Sequence, residues 1–313
     1  MLNFVLKRIA ATIPVMFIVA VGVFLLLRLT PGDPASILAG DAASAENVAE
    51  IRAALGLSEP LTTQFGLWIG HVLGGDLGQS YYYKAPVSEL IAHRIEPTFA
   101  LSLFSIVLAV CFAVPLGVLA AWRQGGWLDR ALMSFSVLGF SIPSFVLGYM
   151  LIWLVSMKLG WLPVQGYRRL SDGVGPFFYH LILPSLTLSI VYIALIARVT
   201  RASVQEVLSQ DHVRTARSKG LTEMRVLIVH ALSNAAVPIV TVIGIGIALL
   251  MGGVVVTESV YGIPGLGRLT VDAVLARDFP TVQGVILFFS MVYVLINLLV
   301  DLSYLLLDPR IRY

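Results

Sequence analysis

The sequence predicts an all-α integral membrane protein with six transmembrane helices, and three observations carry that prediction. Of 313 residues, 58% are hydrophobic and 12% charged, against about 45–50% and about 25% in soluble domains. Six windows of at least 19 residues contain no Asp, Glu, Lys or Arg, and a helix needs about 20 mostly apolar residues to cross the hydrocarbon. Lys and Arg also concentrate in alternate segments between those windows. Mean hydropathy is +0.89, too apolar for a water-facing globule. The single cysteine, Cys111, excludes an intramolecular disulfide and any multi-thiolate metal site. With 21 Lys+Arg against 18 Asp+Glu, the chain lacks the basic excess of a nucleic-acid binder.

The first window, Ile9–Leu27, follows Lys7 and Arg8. Its 19 residues exceed the about 7–15 of a secretory signal's apolar core. The nearest Ala-x-Ala pattern, Ala43-Ser44-Ala45, lies far beyond it, so an uncleaved span is expected. Then Ser44–Leu55 places Val48, Ile51 and Leu55 at helical spacing before Gly56, and Leu61, Phe65, Trp68, Ile69, Val72 and Leu73 form a second stripe. These read as two short helices on the membrane surface or on the spans, a placement compatible with a platform for an extracytoplasmic partner.

The next windows are Pro97–Trp122, Ala131–Met157 and Gly173–Ala197, with kinks expected at Pro115, Pro143 and Pro184. Cys111 is expected as a buried thiol in the second span. The fifth window, Val226–Thr257, opens with His230, Ser233 and Asn234, so its span should begin near Ala235. Gly244, Gly246, Gly252 and Gly253 suit close helix packing there, or the border of a translocation path. The string Tyr261–Gly267 is glycine-dense but has no following Lys-Ser/Thr and no preceding strand, which makes it a turn and not a phosphate loop. Phe279–Val300 is the sixth window. Asp301, at its inner end, reads as an interfacial carboxylate or a partner of Arg310 or Arg312, with an intramembrane role as the alternative. Arg28 and Arg198, at span ends, read as snorkelling anchors.

Residues 1–8, 123–130, 198–225 and 308–313 hold 12 Lys+Arg in 50 positions, whereas 28–96, 158–179 and 258–280 hold 9 in 114. The richer side is cytoplasmic by the positive-inside rule, so both termini are expected inside. In Arg198–Arg225, Arg198–Ser209 continues the fourth span outward. Asp211–Lys219 can form a short helix with Asp211 as N-cap and late cations matching the dipole. Gly220 is its stop, and Leu221-Thr222-Glu223 can start another helix.

The order of short strings along the chain resembles one family. They are Leu29-Thr30-Pro31-Gly32-Asp33-Pro34, Leu55-Gly56-Leu57 with Pro60, Gly75-Asp76-Leu77-Gly78-Gln79-Ser80, Ser141-Ile142-Pro143-Ser144-Phe145, Leu159-Gly160-Trp161-Leu162-Pro163, Pro264-Gly265-Leu266-Gly267, Arg277-Asp278-Phe279-Pro280 and Asp308-Pro309-Arg310-Ile311-Arg312-Tyr313. Essentially the whole chain is similar to the integral-membrane permeases of ABC importers in their dipeptide/oligopeptide/nickel branch. The family's cytoplasmic motif, Glu-Ala-Ala, three residues, Gly, nine residues, Ile-x-Leu-Pro, falls on Arg214-Thr215-Ala216, Gly220, His230 and Leu232-Ser233. The departures at Arg214, Thr215, His230 and Ser233 are how the peptide branch writes it.

The resemblance implies a type I importer permease, with residues 1–96 as first span plus extracytoplasmic segment and 97–313 as a five-helix core. Its cytoplasmic coupling loop is at 198–232. It implies that Asp211, Arg214, Thr215, Ala216, Arg217, Lys219, Gly220 and Leu221 couple to an ATPase, with Ser141, Pro143, Ser144, Gly252 and Gly253 as candidates for the translocation path. The implied partners are a second homologous permease, two cytoplasmic ATPase subunits and an extracytoplasmic solute-binding protein, in a bacterial inner membrane. The chain has no P-loop, so ATP and Mg are expected in the partners and no cofactor in the chain. The implied cargo is a di- or oligopeptide or a glutathione-like peptide; a nickel complex or other small solute is the alternative. A self-sufficient secondary transporter would need several ionisable residues inside the bundle, where the windows leave only Asp301. An intramembrane enzyme lacks support, since the spans contain no paired Asp, His-Glu-x-x-His or Gly-x-Ser-x-Gly.

Overall fold

The structure, a computed structural model, describes residues 2–29, 34–39, 44–54 and 56–307. The Thr30-Pro31-Gly32-Asp33 string, Ala43, Leu55, the terminal string from Asp308, and the suggested pairing of Asp301 with Arg310 or Arg312 lie outside the described residues. Thirteen α-helical segments follow in order among those described: α1 (Leu2–Leu29), α2 (Pro34–Ala39), α3 (Ala45–Ala54), α4 (Leu61–Leu73), α5 (Val87–Trp122), α6 (Trp127–Ser141), α7 (Ser144–Leu151), α8 (Val174–Leu208), α9 (Asp211–Ser218), α10 (Glu223–Arg225), α11 (Ala236–Tyr261), α12 (Leu266–Leu275) and α13 (Phe279–Leu307). The backbone continues as π-helix over Ile152–Lys158 after α7 and Val226–Leu232 after α10. No strand occurs among the described residues, only an isolated antiparallel bridge between Gln79 and Pro86.

α1, α5, α8, α11 and α13 are long and apolar enough to span a membrane. The third window differs from the single helix expected. α6 meets α7 and its π-helical continuation at a bend of 105°, and a sixth span is counted only if the two arms are taken together. The cause is Pro143. Proline pushes its predecessor out of the helical region, and Ile142 is extended at φ −92°, ψ 120°. By contrast, α5 and α8 run on through Pro115 and Pro184. α12 was not expected from the sequence.

The described chain forms two compact units. The larger contains Glu96–Arg268 and, among the described residues at the end of the chain, 295–307. α8 is its most enclosed span, with 67% of its apolar stretch buried against 17–33% in the other four. Leu101, Ala109 and Ala113 of α5 share a core with Leu181, Leu188 and Ile196 of α8 and Leu250 and Val254 of α11. Small residues allow the helices to approach: a Cβ on Gly117 would stand 2.7 Å from the Ala197 carbonyl oxygen, and one on Gly244 would overlap Val300. The Tyr261 hydroxyl joins α11 to Thr187 of α8 (2.7 Å) and donates to the Gly148 carbonyl of α7 (3.3 Å). In the α7–α8 connection, Tyr167 donates its hydroxyl to Glu96 Oε1 at 3.2 Å and Leu170 N donates to the same oxygen at 3.0 Å. Burial, then the neighbouring Glu96 charge, pushes the Tyr167 ionisation upward.

The smaller unit contains Leu6–Ile95 and Leu269–Val294. The α4 stripe packs where its spacing predicts: Phe65 and Trp68 meet Phe24 of α1. Arg28, expected as a snorkelling anchor, sits in the last turn of α1. Its guanidinium lies 3.7 Å over the Phe24 ring and donates to Gln64 Oε1 at 3.1 Å. In the larger unit, Cys111 of α5 is exposed and not buried as expected. The i, i+3/i+4 geometry turns it away from the Ala109 and Ala113 face.

Candidate functional site

The candidate coupling segment begins where α8 outruns its apolar stretch. Val204 and Val207 remain buried on one side of this extension. After α8, Gln210 is extended at ψ 152° and caps α9. Asp211 is therefore the first helical residue, not the N-cap expected, and the helix stops at Ser218, one residue short of Lys219.

Two residues glue α9 down. Val213 and Ala216, three apart, are buried against Val204, Val207 and Val226. The rest of the helix faces outward, so Asp211, Arg214, Thr215, Arg217 and Lys219 are exposed together with Gly220. Thr215 back-bonds to the Asp211 carbonyl at 2.9 Å, which turns its hydroxyl proton inward to the helix backbone. Ala216 and the half-buried Leu221 do a different job from the other predicted residues: they hold the helix in place.

The end of α9 is a Schellman turn. Leu221 N donates to the Ala216 carbonyl at 3.3 Å and Gly220 N to the Arg217 carbonyl at 2.9 Å, the 6→1 and 5→2 pair of that motif. Leu221 packs beside Ala216 in the same apolar cluster, which is the hydrophobic contact that accompanies it. Gly220 has φ +77°, the left-handed conformation that a Cβ disfavours. Arg217 then reaches across the turn to Glu223 with two bonds, 2.9 and 3.2 Å.

A second tie fixes the α8 extension itself. Arg201 grips Asp129, at the start of α6, through both carboxylate oxygens, and the Gly125 N–H donates to Asp129 at 2.9 Å. With side chains only 20% and 6% exposed, this bidentate pair is shielded enough to orient the segment, unlike the exposed Arg214–Asp211 contact at 3.5 Å. No local pattern links positions 129 and 201, so the sequence could not announce it.

The path candidates lie at the α6–α7 break and on α11. Ser141, Pro143 and Ser144 occupy the α6–α7 break, with the Ser141 hydroxyl bonded to the Val137 carbonyl at 2.9 Å. Gly252 faces open space, while a Cβ on Gly253 would meet Leu188 at 3.2 Å and the Tyr192 hydroxyl at 3.3 Å.

Besides Asp129, two buried carboxylates escaped sequence reasoning. Glu258 is fully buried. It accepts from Thr98 Oγ1 at 2.6 Å and from Arg268 N at 2.9 Å, while Thr98 Oγ1 in turn accepts from Leu266 N at 2.7 Å. Gly265 of the 262–267 turn is explained by it, since a Cβ there would overlap the Glu258 carboxylate. In the smaller unit, buried Asp278 accepts from Ser80 Oγ (2.5 Å), Tyr81 N (2.9 Å) and Thr281 Oγ1 (2.7 Å). The Gly75–Ser80 and Arg277–Pro280 strings are the sequence trace of that node.

The family described as "Binding-protein-dependent transport system inner membrane component" matches residues 113–313, and its N-terminal counterpart matches residues 1–102. The chain is similar, at 54% identity over 310 residues and 99% of both chains, to the probable peptide ABC transporter permease protein y4tP of Sinorhizobium fredii. It is 47% identical over 313 residues, all of both chains, to the glutathione transport system permease protein GsiC of Salmonella choleraesuis. Among solved structures, the inward-facing MetNI methionine ABC transporter superposes with a TM-score of 0.60 at 18% identity, over 70% of this chain and 96% of that one, which speaks for the fold. On its own family match and these full-length relatives, the chain belongs to the inner-membrane permeases of binding-protein-dependent ABC importers.

Proposed function

We propose that this chain is one of two permease subunits of an ATP-driven importer of peptides, including glutathione-like ones. The observation that carries the cargo is end-to-end similarity to permeases named for peptide and glutathione transport. A solute-binding protein delivers the peptide from outside, and residues 97–313 with the second permease enclose its path. Two ATPase subunits supply ATP and Mg on the inner side, where both termini and the 198–232 loop lie. The exposed face of α9, with Arg214, Arg217 and Lys219, docks on an ATPase, and its Val213/Ala216 face passes the movement to α8. Flexing is provided by the α6–α7 break at Pro143 and the π-helix after α10, a geometry that often marks functional sites.

The test is reconstitution of the chain with its partner permease, ATPases and binding protein in proteoliposomes. Peptide uptake that depends on ATP and on the binding protein is expected. Binding-protein stimulation by nickel complexes but by no peptide would overturn the cargo. Reporter fusions after Gly75, Gly126 and Gly175 should read outside, inside, outside; the opposite pattern would reverse the orientation.

A further inference from the structure

We propose that the turn between α5 and α6 is a binding site for an anionic phospholipid headgroup. The segment reads Trp122-Arg123-Gln124-Gly125-Gly126-Trp127-Leu128-Asp129-Arg130. Two backbone hydrogen bonds through Gly126 close the turn between the two arginines. Gly126 N donates to the Arg123 carbonyl at 2.9 Å, and Arg130 N donates to the Gly126 carbonyl at 3.1 Å. The turn is preformed, because Asp129 holds the Gly125 N–H while Arg201 clamps both of its oxygens. That clamp occupies both oxygens of the local carboxylate. Among the described residues, no other ion pair involves Arg123 or Arg130, and both side chains are exposed.

The flanking residues make this a lipid site. Trp122 and Trp127 are 41% and 74% exposed, and such rings settle at headgroup depth. The Arg123 guanidinium stands 5.2 Å over the Trp122 ring, so the cation is held at that depth. Guanidinium groups bind phosphate oxygens in a bidentate fork, and the rings beside them would lie along the glycerol and upper acyl chains. A lipid seated here would touch the element that Arg201 ties to the α8 extension. The site rests on the chain's place in the membrane, not on the cargo it carries.

The test uses the assembled complex in nanodiscs, with retained lipid counted by native mass spectrometry. Phosphatidylglycerol should be retained over phosphatidylcholine of the same chains. Arg123→Gln with Arg130→Gln should weaken retention about thirtyfold, since each basic residue near a membrane surface contributes on the order of 1 kcal/mol and about 1.4 kcal/mol is tenfold. The double lysine variant should keep most of it, and Arg168→Gln with Arg169→Gln, on the α7–α8 connection, should change nothing. Equal retention of phosphatidylcholine, or unchanged retention in the glutamine pair, would overturn the proposal. Displacement by millimolar inorganic phosphate would also overturn it, by making the site one for free phosphate. A second measurement needs no charge variant. Brominated phosphatidylglycerol should quench the wild-type fluorescence more than brominated phosphatidylcholine, and Trp122→Phe with Trp127→Phe should abolish the difference; its persistence would place the lipid elsewhere.

Discussion

Replacing Gly220 separates two ways in which the α9 turn could matter, its backbone and its surface. The residue sits at φ +77°, and a Cβ built there finds no heavy atom within 4 Å. Inside this chain the cost is therefore conformational and not steric. For alanine it is about 1–2 kcal/mol, and a β-branched valine stands near the upper end of the about 1–3 kcal/mol for strained non-glycine residues. Asparagine visits the left-handed region more readily, so its cost is smaller. At about 2 kcal/mol, the Schellman turn becomes roughly thirtyfold less populated against opened forms. The Val213 and Ala216 anchors are untouched, so membrane insertion and subunit assembly should persist in every variant. ATPase activity stimulated by loaded binding protein should fall in the order Gly, Asn, Ala, Val, with peptide uptake following it and basal hydrolysis retained. The measurement is a steady-state ATPase titration on complexes of checked stoichiometry. Full stimulation in Gly220→Val would refute a role for the turn. An Asn variant as impaired as Val would refute the backbone explanation and leave side-chain bulk at the docking face.

Two further outcomes follow from the buried groups and a third from Cys111. Thr98→Val should lower the thermal midpoint of the detergent-solubilised complex, at a cost on the order of 3 kcal/mol, because Glu258 and the Leu266 N–H both lose a partner; Thr98→Ser should restore it, and equal melting of all three would remove Thr98 from the node. Asp278→Ala should let trypsin cut after Lys84 at least about tenfold faster, since each hydrogen bond to a charged group contributes about 1.5–3 kcal/mol; an unchanged digestion rate would mean that the 78–86 turn is held by other contacts. Cys111 should react with a membrane-permeant maleimide in detergent, and an inert thiol there would restore the buried placement. In the assembled complex, any protection of Cys111 would report that another subunit covers this face of α5.

The spans were legible because a bilayer imposes a length and an apolarity that simple counting detects. α4 was legible for a related reason: its stripe at Phe65, Trp68, Ile69 and Val72 repeats with the helical period. The α6–α7 break was only half legible. Pro143 announces a disturbance, yet α5 and α8 tolerate Pro115 and Pro184, so proline alone does not fix whether a helix kinks or parts. In the coupling segment, Gly220 was readable from local backbone chemistry, whereas the burial of Ala216 and the Arg201–Asp129 clamp depend on what packs against them.

Glu258 and Asp278 show where charge counting stops. Both fall in a segment counted as loop between spans, where a carboxylate is by default a solvated group. Their chemistry in the fold is the reverse. A carboxylate has about four lone-pair sites, which lets it collect N–H and O–H donors that a turn cannot satisfy internally. Glu258 gathers Thr98 and Arg268 N, and through Thr98 also holds Leu266 N; Asp278 gathers Ser80, Tyr81 N and Thr281. Burying such a group is costly unless its oxygens are filled, so each node either forms completely or destabilises its turn. That condition ties residues 98 and 258, or 80 and 278, across long stretches of chain, which neither periodicity nor segment charge can register. The sequence does carry one indirect sign. Gly265 is needed because a Cβ would occupy the space of the Glu258 carboxylate, so a glycine-rich turn shortly after an acidic residue at a span's end should prompt a search for a buried keystone before a loop charge is assumed.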